Sequence, residues 1–260
     1  VQRTGTIYSR LRESVFPLLL ALVIGALAGL GAVFFRWLIG FETDLFWSGK
    51  GDFLHQYQVA APWLKFMIPV AAGLILGPFL AWFAPEIRGP GVPEVMAALA
   101  LRDGMIRHRV TMAKSLATAT FIAAGGSVGR EGPIVQIGSS IGSSITQLFH
   151  LGPDHRRLAV ACGAAAGIAA TFQAPMAGTL FAVEVLLFDL EVASLSNIVV
   201  AAVTGTVVSK LFWSDETVFQ IPFFTLNHPA ELLLYFGLGI AAGFFSLLFM
   251  ALVFGLTRAL

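Results

Sequence analysis

The stretch Gly125-Gly126-Ser127-Val128-Gly129-Arg130-Glu131-Gly132-Pro133 constrains this chain more than any other. It lies between two apolar segments, so it sits at membrane depth, and it carries an adjacent Arg–Glu pair where charge is costly. Non-helical backbone is tolerated at that depth only where protein buries it or where it lines a water-filled cavity. Pro133 introduces a new apolar run, Ile134 to Phe149. Proline suits a helix start because its missing N–H would have had no partner there. A glycine-rich loop that ends in a helix N-terminus offers free backbone N–H groups and the positive end of the helix dipole, which together favour an anion. Glu131 places a carboxylate at the mouth of that site, where it either competes with the anion or gates it.

Composition fits a membrane setting. The 260 residues are 57% hydrophobic and 12% charged, against about 25% charged in a soluble domain. A net charge of +1 excludes a nucleic-acid binder driven by bulk charge. The single cysteine, Cys162, excludes an internal disulfide. His55, His108, His150, His155 and His228 are scattered without ligand spacing, so no metal site and no cofactor are expected. There is no Ser/His/Asp arrangement and no nucleotide loop, and the chain is not read as an enzyme.

Residues 1–15 read as a basic, cytoplasmic N-terminal segment, and 16–260 as one transmembrane domain. Phe16 to Ile39 is long enough to span. It holds Gly25 and Gly29 at a GxxxG spacing for helix packing, and Arg36, placed to snorkel. Phe41 to Ala61 reads as a polar connection, and Trp63 to Phe83 as a second span. Gly89-Pro90-Gly91-Val92-Pro93-Glu94 is a second glycine–proline loop. The helix after it reaches only roughly 14 Å before Arg102, so it is a half-helix whose N-terminus points into the membrane. Arg102 to Arg109 is a basic loop, and Val110 to Ala124 the next helix, carrying Lys114. Gly152 to Arg157 reads as a loop or cap. A short helix, Leu158 to Thr171, breaks at Phe172-Gln173-Ala174-Pro175, and Met176 to Leu190 carries Glu184. Leu195 to Phe212 and Leu232 to Leu256 span again. Each of the three breaks has a proline opening the next segment: Pro93, Pro133 and Pro175. Half-helix N-termini converging near the midplane coordinate anions without buried fixed cations.

These motifs resemble the CLC family of chloride channels and proton/chloride antiporters. Gly89-Pro90-Gly91-Val92-Pro93 is similar to the family's GSGIP loop, Gly129-Arg130-Glu131-Gly132-Pro133 to its GREGP, and Gly163 through Gly178 to its GAAAGLAAAFNAPLAG stretch. The resemblance implies an all-α polytopic membrane protein with broken and re-entrant helices, the first half of an inverted-repeat fold. The family's second half is largely absent here. The resemblance assigns Glu131 as the gating glutamate. It puts Pro90, Gly91, Val92, Arg130, Glu131 and Gly132 around the anion, and makes Lys114 a source of positive potential. Pro90 stands where a serine is common, and proline there is similar to nitrate-preferring plant members. The glutamate that passes protons in coupled members falls on Val185, as in the channel members, with Glu184 adjacent as a substitute proton path. The expectation is therefore a gated chloride channel. The alternatives are a proton-coupled chloride or nitrate antiporter, and a non-conducting fragment. The resemblance further implies chloride or another small anion as the transported ligand. It also implies a homodimer and a multi-pass location in a bacterial or archaeal inner membrane.

Overall fold

A computed structural model describes residues 2–47, 53–82, 89, 91–187, 192–213 and 228–259. The apolar runs are helical and no strand occurs among the described residues. The helices are α1 (Gln2–Trp47), α2 (Phe53–Val59), α3 (Pro62–Trp82), α4 (Val92–Leu101), α5 (His108–Ala123), α6 (Glu131–Leu148), α7 (Pro153–Phe172), α8 (Pro175–Phe181), α9 (Val192–Phe212) and α10 (Glu231–Ala259). A π-helical turn, Ala182–Leu187, continues α8.

Small residues decide how these helices meet. In lipid, helix association draws on van der Waals contact between closely approaching backbones. On α6, Ile134, Gly138 and Gly142 form a stripe at four-residue spacing; on α7, Ala159, Gly163 and Gly167 form another. The stripes meet antiparallel, Gly138 on Gly163, Gly142 on Ala159 and Gly167 on Ile134. A Cβ on Gly138 would overlap the Gly163 carbonyl, and the reverse holds. Helix α7 is buried continuously from Ala159 to Ala170, so it is the core around which α1, α6 and α9 pack. The GxxxG of α1 works as expected: a Cβ on Gly25 would sit 2.5 Å from the Ala201 carbonyl oxygen, and one on Gly29 would sit 2.8 Å from that of Gly205.

Several boundaries differ from the sequence reading. Helix α1 runs unbroken through 46 residues, so the polar connection expected from Phe41 is helical as far as Trp47. Tertiary contacts explain the extension. Trp47 Nε1 donates to the buried Ala123 carbonyl at 2.8 Å, and Gln56 Nε2 donates to Asp44 at 2.8 Å. Helix α7 begins at Pro153, capped by Gly152, so Arg156 and Arg157 lie on its first turns instead of in a loop. Helix α6 begins at Glu131, which puts Pro133 third in the helix; Pro93 is second in α4 and Pro175 first in α8. All three prolines still fall in the first turn, where no intrahelical N–H bond is lost. The Arg36 guanidinium lies 4.2 Å over the Trp213 ring.

Four described helical stretches are long and apolar enough to cross a membrane: Val15–Trp47, Pro62–Ala81, Ser194–Phe212 and Glu231–Leu256. The last belongs to a separate C-terminal unit, Phe219–Leu260.

Gly163→Ala drives a Cβ into backbone, and such overpacking costs about 1–3 kcal/mol. It is expected to lower the melting temperature in detergent. Gly40→Ala in α1, with nothing near its Cβ position, is expected to be neutral or to stabilise by up to about 1 kcal/mol.

Candidate anion site

The N-termini of α4 and α6 meet. Gly91, the N-cap of α4, adopts φ +95°, which a side chain would strain. A Cβ there would lie 2.7 Å from the Gly132 carbonyl oxygen and 3.0 Å from Gly132 Cα, so the two loops abut through bare backbone. Neither N-cap offers a side-chain acceptor, Gly91 for α4 and Arg130 for α6. The first N–H groups of both helices therefore keep their capacity to bind something else. Helix α8 also begins without a side-chain cap, at Ala174, but it has only seven residues.

Helix α6 is held in this position along its whole length. Its stripe against α7 fixes the rotation. Ser143 Oγ donates to the Gly104 carbonyl at 2.7 Å and accepts from the Ile106 N–H at 3.0 Å, which ties the Arg102–Arg107 loop to α6. Ser139 Oγ donates to the Val160 carbonyl at 3.4 Å. These serines pack and hydrogen-bond, as their positions in an apolar helix lead one to expect.

Glu131 is exposed and curls back over its own loop: a Cβ on Gly129 would overlap its Oε2. It faces a cleft of ≈ 600 Å³ shared with Lys114, Gly129, Gly132, Gly89 and Val92. Of the residues expected around the anion, Gly91, Val92, Glu131 and Gly132 converge here, while Pro90 lies outside the described residues. The Arg130 backbone stands beside them as the N-cap of α6, while its side chain turns away. Its guanidinium lies 5.9 Å from the Phe172 ring centre, and it lines a small separate cleft with Arg36 and Trp213.

Lys114 reaches the Glu131 cleft, but its charge is shared. It is 4% exposed, and its Nζ lies 3.2 Å from Glu94 Oε1, whose side chain is 28% exposed. The positive potential expected from Lys114 is therefore largely matched locally. Glu94 was missed in the sequence. A signal existed: like Glu131, it is an acid just after a glycine–proline loop. Its carboxylate also curls back, over Gly89. Glu184 is exposed in the π-helical turn and lines neither this cleft nor the one beside Arg102. Val185 is half-buried against the cluster of Val95, Leu99 and Leu186. Among the described residues no group of His, Cys, Asp or Glu could hold a metal.

Known proteins resemble this chain in sequence and in fold. The family profile described as "Voltage gated chloride channel" matches residues 72–260. The "Voltage-gated ClC-type chloride channel ClcB" of Yersinia pseudotuberculosis is 32% identical, over 88% of this chain and 57% of that protein. The "H(+)/Cl(-) exchange transporter ClcA" of Cronobacter sakazakii is 34% identical, over 95% of this chain and 54% of that protein. The solved structure of a slow cyanobacterial Cl-/H+ antiporter matches the fold with a TM-score of 0.70 at 23% identity, over 86% of this chain and 53% of that one. The chain spans about half the length of the relatives it matches. The fold is thus the all-α, broken-helix architecture of an integral membrane protein that the motifs implied.

Gly91→Ala combines a strained φ, at about 1–2 kcal/mol, with overlap on Gly132. It is expected to lower the melting temperature in detergent, read by thermal unfolding.

Proposed function

Because the chain belongs to the voltage-gated chloride channel (CLC) family, we propose that the intact protein moves chloride or a similar small anion across the bilayer, with Glu131 as its gate. The observation that carries this reading is the meeting of two uncapped helix N-termini at Gly91 and Gly132, beside an exposed carboxylate in a cleft. N–H groups of the first turns of α4 and α6 would hold the anion in place of its water. The ionised Glu131 carboxylate would compete for the same donors, since two negative charges cannot share one site without a large cost. Protonation or displacement of Glu131 would then open it.

Passive conduction is the first reading. Val185 cannot carry a proton, and it is packed in an apolar cluster. Proton-coupled exchange is the second reading, favoured by the name of the Cronobacter relative. In that case the proton needs a path other than Val185, with Glu184 as one candidate. Pro90 adds the proposal that nitrate competes well with chloride. A homodimer in a bacterial or archaeal inner membrane completes the proposal.

Anion efflux from liposomes holding the intact protein tests the gate. Wild-type flux is expected to rise as pH falls, because protonation releases Glu131. Glu131→Ala is expected to conduct at a rate independent of pH. A variant that keeps the wild-type pH dependence removes Glu131 from the gating role. Uphill proton movement driven by a chloride gradient would select the exchange reading over the channel.

A further inference from the structure

Two clefts are linked by one ion pair. The first is the Glu131 cleft, whose wall includes Lys114. The second, of ≈ 210 Å³, lies between α4 and the loop that follows it, and is lined by Arg102, Ile106, Arg107 and Gln136. Glu94 lines the second cleft, while its Oε1 reaches Lys114 in the wall of the first. The Glu94–Lys114 pair therefore stands as a partition between the two.

The partition is unsatisfied in a particular way. Glu94 Oε2 and Gln136 Oε1 are both buried acceptors with no donor, and Gln136 is only 3% exposed. Buried acceptors without donors are rare and call for a water or a proton. A protonated carboxyl gains an O–H donor while keeping acceptor capacity. The second cleft opens at the basic loop and has room for water to deliver that proton. Among the described residues, the charged groups on these walls are Lys114, Arg102, Arg107 and Glu131. The π-helical turn packed on α4 adds Glu184, which is exposed.

We propose that Glu94 is a second proton-exchanging acid, reached through the basic cleft, whose protonation frees the charge of Lys114 for an anion in the Glu131 cleft. While Glu94 is ionised, Lys114 is matched, and an anion beside it meets no net cation. Once a proton from hydronium binds the Glu94 carboxylate, Lys114 is unmatched, and an incoming chloride restores neutrality. One proton and one chloride are taken up together; the carboxyl O–H forms as an O–H of hydronium in the cleft breaks, leaving water. Each ligand then raises the affinity for the other by the same factor. This couples proton and anion occupancy without a glutamate at Val185. The inference rests on the reading that the Glu131 cleft takes an anion.

The test is chloride titration calorimetry on the intact protein carrying Glu131→Gln, so that the first acid is silent, at about pH 4.5 and about pH 7.5. Chloride is expected to bind more tightly at the lower pH, by roughly threefold or more. Adding Glu94→Gln is expected to give the same Kd at both pH values, near the tighter one. Lys114→Met in the same background is expected to bind weakly at both, also without pH dependence. It serves as a second probe if Glu94→Gln fails to fold. Chloride binding whose pH dependence survives either substitution overturns the inference alone. No saturable chloride binding in any of the proteins overturns the anion reading, and the inference with it.

Discussion

The bare-backbone contact between Gly91 and Gly132 is the constraint on which the rest of the site depends. Two helices that start inside an apolar layer each leave N–H groups without partners, and in lipid such groups are costly. Bringing the two starts together concentrates that unmet donor capacity at one point. Only glycine permits the approach, because any Cβ at Gly91 would lie 2.7 Å from the Gly132 carbonyl oxygen. The N-caps, Gly91 and Arg130, provide no acceptor of their own. The donors are thus left for an acceptor from outside the helices, and the acid nearest in the sequence is Glu131.

The helices behind this point hold it rigid. The antiparallel stripe of Ile134, Gly138 and Gly142 on Ala159, Gly163 and Gly167 brings α6 and α7 into backbone contact. Helix α7, with its run of buried alanines and glycines, meets α9 where Gly205 lies against Ala166, and α9 meets α1 in turn at Gly25 and Gly29. Close packing of small residues replaces the hydrophobic drive that lipid removes. The position of Glu131 is a consequence of that packing, since its helix has no freedom to rotate.

Much of this was legible in the sequence. The three breaks, the half-helix after Gly91 and the charged pair at Arg130 and Glu131 are local patterns, and each lies where the spacing put it. What was not legible depended on contacts between distant residues. Helix α1 runs to Trp47 because the indole finds the Ala123 carbonyl. Lys114 is matched because Glu94, twenty residues earlier, folds to within 3.2 Å of it. Arg36 stacks on the ring face of Trp213, far along the chain. The π-helical turn that carries Glu184 and Val185 also had no sequence signal, and it alters where side chains point beyond Phe181. Local pattern reports where a helix must stop; it does not report which charge its neighbour will meet.

The central claim is that an anion and the Glu131 carboxylate compete for the donors at the joined N-termini. Anomalous scattering from bromide-soaked crystals of the intact protein tests it most directly. The account predicts a bromide peak within hydrogen-bond distance of backbone N–H groups of the first turns of α4 and α6 in Glu131→Gln. The same position should have markedly lower occupancy in the wild type at neutral pH. Bromide of equal occupancy in both proteins, or bound elsewhere in both, would contradict it.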